Sequence, residues 1–314
     1  MAEETTRQEQ AAGATILAES IKGATVKYLV WLQNKGRSPS TISSRMTHLN
    51  VLTHEGANIL DPESVNQTLA KQRSWSESYK SQIVWTYIAF AQMMKITYEP
   101  PNYKQTERLP FIPTETELDQ LIAACGKKTS TFLQTAKETA ARAGEIWKLQ
   151  WTDLDEANNV LRITPEKNSK PRIMKISTKL TAMLNNLPKT STRIFGESNI
   201  IGFRDNFNRA KKKISYRLSN PRFLQITFHT FRHWKATILY HKTKDIIYVK
   251  EFLGHKDLRN TMIYINVENA IYQQGSDDFT CKVAKTVDEA KQLIEVGFEY
   301  VTDVDGFRLF RKRK

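Results

Sequence analysis

The sequence predicts a mainly α-helical chain of two domains, followed by a small βαββ module. Three observations carry that expectation. Apolar residues recur at helical spacing from about Ala14 to Glu99 and again from Thr114 onward. Pro100, Pro101, Pro110 and Pro113 punctuate the polar stretch between the two runs. Period-two alternation is confined to residues 151–177 and to the tail. A length of 314 residues accommodates about two domains, and 40% hydrophobic with 25% charged residues is an ordinary globular balance.

Residues 1–13 are polar and are expected to fray. In a first domain over 14–99, Val26, Leu29, Val30, Trp31 and Leu32 predict an amphipathic helix that stops near Gly36. Ser40 or Thr41 caps a second helix holding Ile42, Met46, Leu49 and Leu52, halted by Gly56. Ser76 or Ser78 opens a third, with Ile83, Val84, Tyr87, Ile88 and Ala91 facing inward. Residues 100–113 read as an extended linker. Thr114-Glu115-Thr116-Glu117 then reads as a helix start, its carboxylates favoured by the helix dipole, and Leu118, Leu121 and Ile122 continue the stripe.

Within the second domain, 114–270, Leu161 and Ile163 alternate with Val160, Arg162 and Thr164. Met174 and Ile176 alternate with Ile173, Lys175 and Ser177, and Asn168-Ser169 lies between the runs. A β-hairpin or three-stranded sheet follows, with helices resuming near Leu180, so this domain is mixed α+β. In the module 279–314, Phe279, Cys281 and Val283 alternate as a strand. Val287, Ala290, Leu293 and Ile294 form a helix ended by Gly297, and Asp305-Gly306 is a hairpin turn between two more strands.

Forty-seven Lys+Arg against 33 Asp+Glu leave a net charge of +14, which favours a polyanionic partner. The excess is local. Residues 100–270 carry 29 basic and 16 acidic side chains, whereas 1–99 and 271–314 are near neutrality. No apolar run approaches the ~20 residues of a membrane span, and the N-terminal residues lack a signal-peptide core. Cys125 and Cys281 lie far apart with no metal-binding spacing, which argues against disulfide and zinc scaffolds and fits a reducing cytoplasm.

The chemically informative residues lie inside that basic segment. His229-Thr230-Phe231-Arg232-His233 places His229, Arg232 and His233 on one helix face, opposite Phe231, Trp234 and Ile238. Leu253-Gly254-His255 ends an apolar helix (Ile246, Ile247, Val249, Phe252) at a glycine cap, which fixes His255 just beyond it. Tyr264 follows nine residues later, off the Leu258/Met262/Ile265 stripe expected to be buried. Arg142 sits in a small, apolar segment and needs a partner, for which Glu145 is at hand. Lys167 and Lys170 flank the hairpin turn. Singly, each has an ordinary reading: an amphipathic helix, a structural histidine, a solvated lysine. Asp153, Asp155 and Glu156 read as capping or terminating residues, not as a metal site.

Taken in order, Arg142, a hairpin lysine, His229-x-x-Arg232, Leu253-Gly254-His255 and Tyr264 resemble the tyrosine recombinase (integrase) family of phage and Xer-type enzymes. Ser38-Pro39-Ser40-Thr41-Ile42 resembles the start of a helix in its core-binding, SAM-like domain. Thr139 to Asp155, with Arg142, Glu145, Trp151 and Asp153, resembles its first catalytic motif. The chain departs from the family where Ala140-Ala141 replaces Gly-Leu and where Lys256 follows the second histidine in place of Ser. The βαββ tail and the basic run from Arg308 to Lys314 look most like archaeal mobile-element integrases.

The resemblance implies site-specific strand exchange in double-stranded DNA, for integration and excision of a mobile element, with no metal or other cofactor. Tyr264 is then the nucleophile that forms a 3′-phosphotyrosine, and His229 the usual base. Arg142, Arg232 and His255 bind the phosphate, and Lys167, in preference to Lys170, protonates the leaving 5′-oxygen. Arg45, Arg209, Lys211, Lys212, Lys213 and Arg217 are the expected DNA contacts. The family clamps its duplex between the two domains. It implies a homotetramer on DNA, a monomer or weak oligomer when free, and a cytoplasmic, nucleoid-associated location. The rivals are a type IB topoisomerase and a catalytically silent DNA-binding protein.

Overall fold

The computed structural model describes residues 19–104, 109–166, 169–272, 279–304 and 307–313. It divides into two compact units, Met1–Arg108 and Leu109–Lys314. Among the described residues, no helix is long and apolar enough to cross a membrane.

Among the described residues the first unit holds four helices, α1 (19–34), α2 (Pro39–His54), α3 (Pro62–Lys71) and α4 (Glu77–Met94). Ser76 caps α4 as expected, whereas α2 is capped by Ser38 and not by Ser40 or Thr41, because Pro39 already opens the helix and the Ser38 hydroxyl accepts from the Thr41 N–H. The α4 face is as expected, with Ile83, Val84, Tyr87 and Ala91 buried. Two further expectations need correction. The buried stripe of α1 is Ala24, Tyr28 and Leu32, whereas Val26 and Val30 are 59% and 47% exposed. Tyr28 sets that rotation, because its ring packs on Phe90 and its hydroxyl donates to the Thr86 carbonyl at 3.2 Å. Sequence periodicity also passed over α3, a short helix opened by Asp61 as N-cap and Pro62 in its first turn.

The second unit starts with Phe111 and Ile112 packed on its core. Its helices are α5 (Glu115–Ala123), α6 (Lys127–Thr139) and α7 (Ala143–Trp147), followed by strands β1 (Leu154–Asp155), β2 (Val160–Ile163) and β3 (Arg172–Lys175). The three strands form an antiparallel sheet in that order, with Leu161 opposite Met174 and Ile163 opposite Arg172. Then come α8 (Thr178–Asn185), α9 (Ile200–Arg217), α10 (Phe228–Thr243), α11 (Ile246–Leu253) and α12 (Arg259–Tyr272). Thr114 and Glu117 form a reciprocal capping box on α5. A large core joins Phe132, Phe195, Phe203, Phe207 and Phe228 to the apolar face of the sheet.

The expectation for α12 is reversed. Met262 is 50% exposed and Tyr264 only 2%. The face toward α10 carries Thr261, Tyr264 and Glu268, each bonded to a histidine. Polar partners, not the count of apolar residues, decide which side of this helix is covered.

The tail forms β4 (Phe279–Ala284), α13 (Val287–Glu295), β5 (Glu299–Val304) and β6 (Phe307–Arg313), the expected βαββ order. β6 lies between β4 and β5 and is antiparallel to both. The helix covers Ala284 and Phe310, whereas Val283 is 52% exposed. The Asp305-Gly306 turn lies outside the described residues.

Candidate active site

The carbonyl of Leu253, at the end of α11, accepts hydrogen bonds from Arg232 Nη2 and Arg172 Nη1, both at 2.7 Å. Arg232, 1% exposed on α10, also donates to the Ala140 carbonyl at 2.6 Å. Arg172 continues to the Glu145 carboxylate, whose other oxygen accepts from Arg142 Nη1 at 3.1 Å. Two guanidinium groups therefore share one carboxylate, and the third, Arg232, is tied to them through the Leu253 carbonyl. Glu145 is 2% exposed; burial pushes its pKa up, but Arg172, the Arg142 backbone N–H and the Arg142 charge outweigh burial and hold it below the usual range. Among the described residues Arg232 has no carboxylate partner. Burial, with Arg142 and Arg172 nearby, pulls its pKa down to about 10. This is a buried cationic centre with more positive charge than the protein neutralises.

Ala140 is the C-cap of α6 and sits at φ +51°, the left-handed region that favours glycine. The departure from glycine there is accommodated with some backbone strain, and the Ala140 side chain joins the cluster of Ala236, Val249, Leu253 and Tyr264. Gly254 stands at φ +69°, and a Cβ on it would lie 3.0 Å from the Lys170 carbonyl oxygen. The hairpin is strapped to this turn: Lys170 N–H donates to the Gly254 carbonyl at 3.0 Å, and Ser169 bridges to His255.

The histidines are held as neutral rings. His255 is 8% exposed, its Nδ1 3.0 Å from the Thr261 hydroxyl; burial with Arg232 and Arg142 pushes its pKa to about 3. His229 lies one turn before His233, their rings T-shaped at 4.6 Å. Burial with Arg232 and Arg142 lowers the His229 pKa. The Tyr264 hydroxyl is 3.2 Å from His233 Nδ1, in the same chain. Burial raises the phenol pKa to about 12 against the opposing pull of Arg232 and Arg142. Beside His229, α9 contributes Arg204, Phe207 and Asn208 to a cavity of about 330 Å³.

Of the residues expected at the site, Arg142, His229, Arg232, His255 and Tyr264 thus come together. Lys167 lies outside the described residues. Its neighbours reach the site, since Glu166 N–H donates to Glu145 Oε1 at 3.4 Å and Arg142 Nη1 donates to the Ser169 hydroxyl. Lys170 is paired with Glu251 at 3.2 Å. Sequence reasoning missed Arg172 and Thr261. The signal for Arg172 was its register, inward with Met174 and Ile176.

The expected nucleic-acid contacts divide. Arg209, Lys212, Lys213 and Arg217 are exposed on α9. Lys211 is a correction: it is 9% exposed, and its ammonium donates to the carbonyls of Ile226 at 2.7 Å and Leu224 at 3.3 Å. It fastens the segment before α10 because its helix position points inward beside Phe207 and Ile214. Arg45, half-buried on α2, donates to the Tyr28 hydroxyl at 3.3 Å. Asp153 caps its own 3-10 turn, and Glu156 pairs with Lys189. Among the described residues no His/Cys/Asp/Glu group has metal-binding geometry.

Among known proteins, tyrosine recombinase XerA of Saccharolobus solfataricus is 23% identical over 180 residues, 57% of this chain and 60% of that protein. The ICEBs1 integrase of Bacillus subtilis is 27% identical over 49% of this chain and 48% of its own length. The chain thus spans between about half and three fifths of these two relatives. In fold, it is similar to the Tn1549 transposon integrase solved with transposon right end DNA, with a TM-score of 0.61 at 13% identity over 87% of this chain and 99% of that one. The phage integrase family matches residues 113–270, a span that takes in the whole arginine, histidine and tyrosine cluster, and this chain belongs to that family.

Proposed function

We propose that the protein is a site-specific DNA recombinase of the tyrosine class, an integrase that inserts and excises a mobile element. One observation carries the reading. A buried site with three guanidiniums and one carboxylate is built for an anion, and it stands beside a sequestered phenol. Arg142 and Arg232 match the non-bridging oxygens of a phosphodiester as planar bidentate donors. His255, oriented through Nδ1 by Thr261, offers its other nitrogen to the same phosphate. Ionising Tyr264 at pH 7 from a pKa of about 12 costs roughly 7 kcal/mol, which a bound phosphate, a proton acceptor and the two arginines must together offset. The attack breaks the bond to O5′ and stores its energy in a 3′-phosphotyrosine. Burial keeps water from that ester, so a 5′-hydroxyl can reverse the step.

Lys167 is the proposed acid for the 5′-oxygen. Its flanking residues bond to the Arg142–Glu145 pair, while Lys170 is engaged by Glu251, and both facts support the choice. Delivery of Tyr264 in its own protomer is supported by its contact with His233. Residues 14–99 as a DNA-gripping helical domain, tetramer formation on DNA and a nucleoid location belong to the same proposal.

The test is a nicked suicide duplex. The wild-type chain should form a covalent adduct that Tyr264→Phe cannot form, with DNA binding retained. An adduct persisting in Tyr264→Phe would sink the assignment. Relaxation of supercoiled DNA regardless of sequence would point instead to topoisomerase activity, and tight binding without cleavage to a silent DNA-binding protein.

The division on α9 gives a second expectation. Lys212→Ala with Lys213→Ala should reduce the slope of log K against log[salt] by about 2, roughly one unit per lost phosphate contact. Lys211→Met should leave the slope unchanged and lower thermal stability by roughly 1.5–3 kcal/mol, because it removes bonds from a charged donor to buried carbonyls. Equal slopes in both proteins would refute the division.

A further inference from the structure

The geometry points to His233, not His229, as the group that takes the proton from Tyr264. This rests on the recombinase reading above and assigns its base. His233 Nδ1 lies 3.2 Å from the phenol oxygen, within the reach required of a proton acceptor. His229, one turn earlier on α10, packs its ring against His233 at 4.6 Å and lines the cavity shared with Arg204 and Asn208. That leaves His229 free to donate to the phosphate while His233 serves the nucleophile.

The surroundings suit a base that acts only when substrate is present. Arg232 and His229 face the pair from α10, and Arg142 faces it from the start of α7. Ala140 from the end of α6, with Val249 and Leu253 from α11, closes it with apolar groups. Burial, His229 and Arg232 push the His233 pKa to about 4, so the free ring is neutral but a weak acceptor. A phosphodiester docked on Arg142 and Arg232 brings negative charge beside these cations and raises the basicity of the ring. The phenol therefore stays protonated until DNA arrives.

The step balances. The Tyr264 O–H bond breaks as an N–H bond forms at His233 Nδ1. The phenol oxygen bonds phosphorus as the P–O5′ bond breaks, and O5′ takes its proton from the hairpin acid. In rejoining, the 5′-hydroxyl returns its proton to that acid and attacks phosphorus. The Tyr264 oxygen leaves and recovers its proton from Nδ1. No water and no outside base are consumed.

His233→Asn tests this, because the amide places a polar atom near Nδ1 yet cannot take up a proton at neutral pH. The probe is a nicked duplex carrying the sequence that wild type cleaves, recovered through its covalent adduct from a randomised duplex pool. His233→Asn should bind this duplex as wild type does and form the adduct at least about 100-fold more slowly. Its rate should climb with pH where the wild-type rate has levelled, and 3-fluorotyrosine at 264, a more acidic phenol, should recover much of the loss. Wild-type rates and pH profile in His233→Asn overturn the inference, as does a loss that fluorotyrosine leaves untouched. No adduct from wild type on any duplex in the pool overturns the recombinase reading as well. A check independent of the variant is nitrogen NMR of the wild-type protein. His233 should carry its proton on Nε2; a proton on Nδ1 leaves nothing to accept the phenol's and overturns the assignment.

Discussion

Glu145→Ala is expected to destabilise the second unit by about 3–5 kcal/mol, the range for breaking a buried ion pair. Glu145 is the shared partner of Arg142 and Arg172, and it caps α7 by accepting from the Arg142 backbone N–H at 2.9 Å. Its removal leaves two guanidiniums, with Arg232 nearby, with no other carboxylate bonded to them among the described residues. Glu145→Gln keeps the shape and part of the hydrogen bonding but not the charge, so it should fall between wild type and Ala. The pH dependence follows from the sign of the shift. The folded pKa lies below the ordinary glutamate value of 4.5, so the stabilisation is fully present above pH 4.5 and drains away as pH falls through the depressed folded value. Thermal melts of wild type from pH 7 downward should show this acid limb, and those of Glu145→Ala should lack this component. A loss below about 1 kcal/mol would mean that the arginines are satisfied without it.

Much of the fold was legible because local and global signals agreed. Thr114 and Glu117 form a capping box where the residues Thr-Glu-Thr-Glu suggested a helix start. Leu161, Ile163, Met174 and Ile176 are buried where their alternation placed them. Legibility failed where several faces were comparably apolar. On α1, Val26 and Val30 suggested one face, and only the long-range bond from Tyr28 to Thr86 and its packing on the Phe90 ring select another. On α12, Met262 and Ile265 suggested one face, but Thr261, Tyr264 and Glu268 had partners waiting on the other. Partners distant in sequence are not visible in a periodicity.

The site was legible in its residue types and incomplete in its wiring. The order of Arg142, His229, Arg232, His255 and Tyr264 drew attention to groups that do converge. The connections among them run through Arg172, Thr261 and the Leu253 carbonyl, none of which carries a motif of its own. Lys211 shows the opposite error. Inside a basic run it looked like its neighbours, but its position on the helix turns it inward.

Arg232→Lys should abolish nearly all strand cleavage while leaving duplex binding close to that of wild type. Arg232 already uses two of its donors on the Ala140 and Leu253 carbonyls, which fix the guanidinium plane and leave the rest of the fork for a phosphate. A lysine ammonium has three donors on a flexible stem and cannot hold both carbonyls while presenting a planar pair to the transition state. Loss of one preorganised donor costs about 10²–10³ in rate, and here the orientation of the remaining donors is lost with it, so the expected reduction is at the upper end or beyond. Binding should change little, because most affinity for a duplex comes from exposed phosphate contacts, the role proposed for Lys212 and Lys213. The measurement is single-turnover adduct formation at saturating protein. A slower rate with unchanged affinity places Arg232 in the transition state. A rate within tenfold of wild type would mean that Arg142 and His255 suffice for the phosphate, leaving Arg232 as a structural tie between the end of α6 and the end of α11.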